Sequence, residues 1–273
     1  MKKNSFARAG YAILSASLLV ATVNSVRATP IFADNFDSYT AGNLVGQGPW
    51  LQTGTVATFP VQVTAGNQVS LGTSGQDVYA PTTPLTTIAD GTSLYIGLDL
   101  DVTTATATGD YFLHFTPTVG NTSGFYDKLF VKSSGSGFVL GWLGSSGGTT
   151  PYGTTVLNFG TTYRVVLAYN AVSGTLNDTG AIYVNPTDLS NPAGNTAYLT
   201  SGWTGTGAEN ENVAGINFRQ GTATTAPALL ADNLDVSQTF SDTSTYTPIP
   251  EPSSLALLGG FGILAWHLIR RRR

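Results

Sequence analysis

The chain has 273 residues, with 12 basic and 16 acidic side chains for a net charge of −4, and only 10 % of its residues are charged. Glycine is abundant at 32 residues and aromatics make up 11 %, which excludes a disordered polyelectrolyte and suits a turn-rich β protein. Cysteine is absent, which excludes disulfides, thiol catalysis and thiolate metal sites.

The charge is strongly partitioned. Lys2, Lys3, Arg8 and Arg27 lie at one end, and Arg270, Arg271, Arg272 and Arg273 at the other. Residues 29–247 keep four basic side chains (Lys128, Lys132, Arg164 and Arg219) against fifteen acids, a net charge of −11. Such a domain repels a phosphate backbone, which argues against a nucleic-acid partner. Surface acid of this kind keeps an exported protein soluble and also attracts cations.

At the N-terminus, Lys2 and Lys3 precede a mostly apolar run from Gly10 to Val23 and then Val26-Arg27-Ala28. This is the tripartite pattern of a secretory signal peptide, with small residues placed for cleavage by signal peptidase after Ala28. The predicted organisation is therefore a signal peptide over 1–28, a domain over 29–247 and a separate tail over 248–273.

Within 29–247, short apolar segments alternate with turn residues. Leu94 to Val102, Asp110 to Phe115, Phe125 to Lys132, Phe138 to Leu143, Tyr163 to Tyr169, Ala181 to Val184, Val213 to Arg219 and Ala228 to Val236 read as strands. Ser133 to Gly137 is the turn between two of them. Alternation places Tyr163, Val165, Leu167 and Tyr169 on one face of their strand. No segment carries a helical period, and about a dozen strands at this spacing predict a sandwich or barrel. Ala33-Asp-Asn-Phe-Asp37 at the start is echoed by Ala231-Asp-Asn-Leu-Asp235 at the close. The two segments are expected to be neighbouring strands that bring the domain ends together.

The tail reads Pro250-Glu251-Pro252, then an apolar run from Leu255 to Ile269, then the four arginines. Fifteen helical residues rise about 22 Å, short of a bilayer core of about 30 Å. Gly259, Gly260 and Gly262 weaken that helix further. The arginines hold the extreme C-terminus in the cytoplasm and leave the domain outside.

Pro250-Glu251-Pro252, the Gly-interrupted apolar helix and the terminal arginine cluster together resemble the PEP-CTERM sorting signal. The resemblance covers about 25 residues and implies a Gram-negative, exopolysaccharide-producing bacterium. It also implies processing by an exosortase-type membrane protease, with Pro250, Glu251 and Pro252 as recognition residues and the apolar helix as a transmembrane stop. A second resemblance covers nearly all of 29–247. Asp34-Asn-Phe-Asp-Ser-Tyr39 with Gly46-Gln-Gly-Pro-Trp50, Tyr163-Arg-Val-Val leading to Tyr183-Val-Asn-Pro186, and Phe218-Arg-Gln-Gly221 before Leu230-Ala-Asp-Asn-Leu-Asp235 are similar to laminin-G-like, concanavalin-type domains. It implies an antiparallel jelly-roll β-sandwich, a fold that hosts lectins, glycanases, lyases and structural modules alike.

Catalytic chemistry is thinly represented. Glycosidases need two carboxyl groups across a cleft, and the Glu-x-Asp-x-Glu patterns of concanavalin-type glycanases are missing. Asp99 and Asp101 share a strand face, read first as the wet side of a half-buried strand. His114 is the domain's only histidine, read as a hydrogen-bonded strand residue. A lyase would need a Tyr or His base beside a cation, and His114, Tyr126, Lys128 and Arg164 supply the types. No catalytic residue is assigned. Calcium is the ion that Asp34, Asp37, Asp232 and Asp235 would suit if the end strands pair; otherwise no cofactor is implied. Trp50 and Trp203 are the candidate sugar contacts, with Tyr152 and Tyr198 beside them, whereas Trp142 reads as core. The expected function is a non-enzymatic surface or matrix protein of a biofilm type, binding extracellular polysaccharide or serving as a structural module. A glycan hydrolase or lyase on the same fold, and an adhesin or assembly subunit, are the alternatives.

Overall fold

The computed structural model describes residues 30–209 and 212–245. The expected signal-peptide and transmembrane helices, Ala28, the Pro250–Pro252 motif and the arginine cluster lie outside these residues. Fifteen strands are described: β1 (Phe32–Asp34), β2 (Gly42–Asn43), β3 (Leu51–Thr53), β4 (Gln62–Val63), β5 (Val69–Leu71), β6 (Asp77–Leu85), β7 (Ser93–Thr104) and β8 (Asp110–Thr116) come first. β9 (Tyr126–Ser134), β10 (Gly137–Leu143), β11 (Thr162–Asn170), β12 (Thr179–Val184), β13 (Leu199–Gly202), β14 (Val213–Phe218) and β15 (Ala228–Ser237) follow, with a short helix α1 (Phe240–Ser244) after the last.

The strands form two sheets. One has the order β13-β12-β11-β7-β15-β5-β4-β2, with β1 also paired to β15; the other has the order β10-β9-β8-β14-β6-β3. All pairings are antiparallel. Many neighbours are distant in sequence, as where β14 lies between β6 and β8. This is an all-β, two-sheet sandwich of the jelly-roll kind.

Alternation explains the core. Leu94, Ile96, Leu98, Leu100 and Val102 of β7 face inward, as do Val165, Leu167 and Tyr169 of β11, and Ile216 and Phe218 of β14. The β9–β10 hairpin turns at Ser134 and Gly137, as the turn residues predict. Trp142, read as core, is fully buried.

The echoed segments do pair. Ala33 lies opposite Asp235 and Asp34 opposite Leu234. One edge of β15 serves two partners: Leu229–Ala231 pair with β5, and Leu234–Val236 with β1. The register on β7 shifts between Asp232 and Asp235, where Asn233 takes φ +48°. Such a bulge bends the strand and re-aims its side chains.

The domain also contains a five-residue helix, α1, whose Phe240 packs with Tyr95, Val166 and Ala168 on the outer face of the nine-stranded sheet. A segment that short carries no readable helical period.

Candidate functional site

The outward face of the six-stranded sheet collects the domain's aromatic and basic side chains. Residues flanking the core positions of β6, β8, β9 and β14 must point away from it, which places Tyr79, Tyr111, His114, Lys128, Phe130 and Asn217 on this face. Rings run across it in sequence. Phe125 lies 4.2 Å from His114, His114 5.4 Å from Tyr111, Tyr111 5.3 Å from Phe130, and Phe130 6.4 Å from Tyr152.

Three of the domain's four basic residues sit over that row. Arg219 lies 4.2 Å from the centre of the Tyr111 ring, Lys128 5.7 Å from the same ring, and Lys132 4.2 Å from the Tyr152 ring. These are cation–π distances. Arg219 is also held by Asp110 at 2.9 Å, and Lys128 Nζ donates to Ser146 Oγ at 2.9 Å. A cleft of about 290 Å³ opens at one end of the row, lined by Thr55, Asp77, Tyr111, Thr122, Phe125 and Arg219.

Burial sets the charge states. Desolvation lowers the Lys128 ammonium to about 8, against the opposing pull of Asp127. It pushes the Tyr152 phenol up to about 12, helped by Asp110. It also raises the Asp77 carboxyl, which accepts the Gln220 amide hydrogen. His114 is held well below its ordinary value, first by burial and then by Arg219 and Lys128. Its two ring nitrogens are buried without a partner, so the expected hydrogen-bonded histidine is corrected to a neutral, unsatisfied one. The arrangement leaves the Phe125 and Tyr111 rings and the Arg219 guanidinium partly exposed at the cleft.

The residues named from sequence are dispersed. Asp99 and Arg164 belong to the opposite sheet, where Arg164 bonds Asp235 at 2.8 Å, Asp99 at 3.4 Å, and the carbonyls of Asn233 and Thr243. Because Asp99 alternates with inward-facing Leu98 and Leu100, it points outward on the far side of the sandwich from His114. Asp99, Asp101, His114 and Arg164 therefore share no cleft, whereas His114 and Lys128 do meet, joined by Arg219 and Tyr111. Tyr126 stands at the start of β9 and is absent from the cleft lining.

The aspartate cluster is also corrected. Asp34 accepts from Trp50 Nε1 at 2.8 Å, Tyr39 OH at 2.5 Å and the Phe36 amide at 2.9 Å. Asp37 accepts from Asn35 Nδ2 at 2.6 Å, and Asp235 is committed to Arg164. Asp232 is pushed up to about 6, chiefly by burial and then by Asp99, Asp37 and Asp34. Among the described residues no three carboxylates or imidazoles are placed to hold a metal ion, so the expected calcium set does not assemble.

Trp50 is fully buried, stacked 5.2 Å from Phe218, and cannot contact a sugar. Trp203 is half-buried, edge-on to Trp142 at 6.2 Å, with its indole nitrogen sealed from solvent. Tyr198 OH is occupied by the Thr155 carbonyl and the Leu140 amide. Tyr152 alone of the aromatic candidates joins the row. Sequence reasoning missed Tyr111 and Arg219. Each flanks the inward-facing residues of its strand, and a search for charged or aromatic residues on those alternate positions would have found them.

The described residues thus define a β-sandwich with a polar-aromatic face. The remaining segment, residues 248–273, matches the PEP-CTERM protein-sorting motif. No curated relative matches the sequence. Similar solved structures include the binding domain of botulinum neurotoxin DC, solved in complex with SialylT, at 10 % identity and TM-score 0.46, covering 80 % of this chain and 48 % of that one. The chain thus spans about half the length of that protein. They also include an endo-1,3-beta-glucanase from Streptomyces sioyaensis at 15 % identity and TM-score 0.45, covering 76 % and 95 %. A heptameric SAP-like pentraxin from Limulus polyphemus matches at 13 % identity and TM-score 0.40, covering 59 % and 71 %.

Proposed function

We propose that this is an exported surface or matrix protein, delivered through a signal peptide cleaved after Ala28 and sorted by an exosortase-type protease acting at Pro250–Pro252. Its sandwich binds exopolysaccharide across the outward face of the six-stranded sheet and does not cleave it. The observation that carries the binding role is the row of rings from Phe125 to Tyr152, overlaid by Arg219, Lys128 and Lys132 and opening into the cleft at Asp77. Aromatic and cationic side chains gathered on one face beside an open cleft suit ligand contact.

The test is co-sedimentation with the producer's exopolysaccharide, with new chain ends assayed in the same tube. The wild-type protein is expected to sediment with the polymer and release no chain ends. Phe125→Ala and Arg219→Gln are each expected to weaken binding about tenfold, the loss of one good contact. Scission that disappears with Arg219→Gln would replace this reading with a lyase or hydrolase. Absence of both binding and scission would leave an adhesin or structural subunit.

A further inference from the structure

Phe59 is 72 % exposed, more than any other large apolar side chain among the described residues. Its backbone is left-handed at φ +49°, a conformation that costs a non-glycine residue free energy unless its surroundings enforce it. Here they do. Gln220, only 4 % exposed, donates from Nε2 to the Phe59 carbonyl at 2.7 Å and to the Gln76 carbonyl at 2.9 Å. The Gln76 amide donates to the Thr58 carbonyl at 3.0 Å. Gly75 must be glycine, because a Cβ there would collide with the Phe59 carbonyl. Two buried amides and a glycine therefore fix the strained backbone that holds the Phe59 ring out in water, the kind of enforced strain that collects at functional sites.

Beside the ring lies a hollow of about 550 Å³, lined by Gln62, Ser70, Thr73, Ser74 and Gln220. None of its side chains is charged. The hydroxyls of Ser70, Thr73 and Ser74 bond no described residue, so they are free to give and accept hydrogen bonds. Hydroxyl and amide groups around one aromatic face match the edge and face of a neutral pyranose ring. An anionic sugar would find no cation here, in a domain of net charge −11.

The hollow adjoins the cleft already described. Residues 54–56 line the cleft and 59–60 the hollow, while Gly75 and Asp77 border the one and Ser74 and Gln220 the other. This strap, tied to Gln76 through the Thr58 carbonyl, runs past both.

We infer that Phe59, Ser70, Thr73 and Ser74 form a second glycan subsite for uncharged sugar units, reached by a chain that crosses the strap from the Tyr111–Arg219 cleft. This rests on the exopolysaccharide-binding reading. The experiment uses the full-length protein expressed in its host. The probe is the producer's exopolysaccharide, partly depolymerised, separated by anion exchange into charged and uncharged fractions, then by size. Phe59→Ala is expected to lower affinity for long uncharged fragments roughly tenfold, as loss of a stacking contact would, and to leave short fragments unaffected. Phe59→Tyr is expected to bind like wild type. Phe125→Ala, in the first cleft, should weaken both size classes. Equal affinity of Phe59→Ala and wild type for long fragments, while Phe125→Ala loses binding, overturns the subsite alone. Phe59-dependent binding confined to the charged fraction overturns the sugar class and with it the inference. A wild-type protein that binds no fragment overturns this inference and the function it rests on.

Discussion

The imidazole of His114 is 2 % exposed, packed between Phe125 and Tyr111, and neither nitrogen has a partner. Burial, then Arg219 and Lys128, hold its pKa well below the ordinary 6.5. Between the native pKa and 6.5 the unfolded chain takes up a proton that the native protein refuses. Stability from this residue is therefore complete above about pH 6.5 and declines as pH falls below it. His114→Phe should remove that dependence. In urea unfolding from pH 8 to pH 5, the wild type should lose stability relative to the variant only on the acid side, and a gap constant across the range would contradict the argument. Asp34 makes a second residue-scale case. Asp34→Ala removes the acceptor of the Trp50 indole and Phe36 amide donors, and each buried donor left unpaired costs about 1–3 kcal/mol. Thermal unfolding of Asp34→Ala should show that loss, and millimolar calcium should leave the wild-type midpoint unmoved, since a bound ion would raise it. Trp50 and Asp34 also mark a limit of sequence reading. Both residue types were picked out, but Gly46–Trp50 folds back so that the indole enters the core and its N–H finds the carboxylate. That depends on a long-range approach no local spacing encodes.

At the scale of elements, Arg164 of β11 ties three others together. Its guanidinium bonds Asp235 and the Asn233 carbonyl of β15, Asp99 of β7 and the Thr243 carbonyl of α1. The Asp235 side chain is 1 % exposed and burial already pushes its carboxyl well above the ordinary range despite Arg164, so removing that partner leaves a buried, unpaired carboxyl. Arg164→Met should destabilise the protein by about 3–5 kcal/mol. In a double-mutant cycle, Asp235→Asn in the Arg164→Met background should cost far less than in wild type, and additive costs would rule out the coupling. Gly97 belongs to the same joint, since a Cβ there would strike the Thr243 carbonyl, Arg164 and Asp235. Period-two reading of β11 placed Val165, Leu167 and Tyr169 correctly on the core face. On the other face of β11, Phe240 and Tyr183 cover Val166 and Ala168. The covering helix has only five residues, so the second buried face had no sequence signature, and Arg164 passed for a candidate in catalysis when its work is to fasten α1.

For the whole molecule, the decisive relation is between the two outer faces. α1 packs on the nine-stranded sheet, and the last described residue, Thr245, follows it there. The sorting motif begins only three residues later, at 248. The ring-and-cation face and its cleft belong to the other sheet. The described chain therefore leaves the sandwich, at Thr245, on the side opposite its candidate ligand face. Replacing Pro250, Glu251 and Pro252 with alanine should block processing, seen as a slower-migrating, membrane-retained band on immunoblots. If the opposite-face geometry governs access, spheroplasts carrying that retained form should bind labelled exopolysaccharide with the affinity of the processed protein, and Phe125→Ala should weaken the binding about tenfold in both forms alike. A retained form that is intact by protease resistance yet binds nothing would mean that the tail shields the ligand face. The proposed direction of presentation, outward from the six-stranded sheet, would then be wrong.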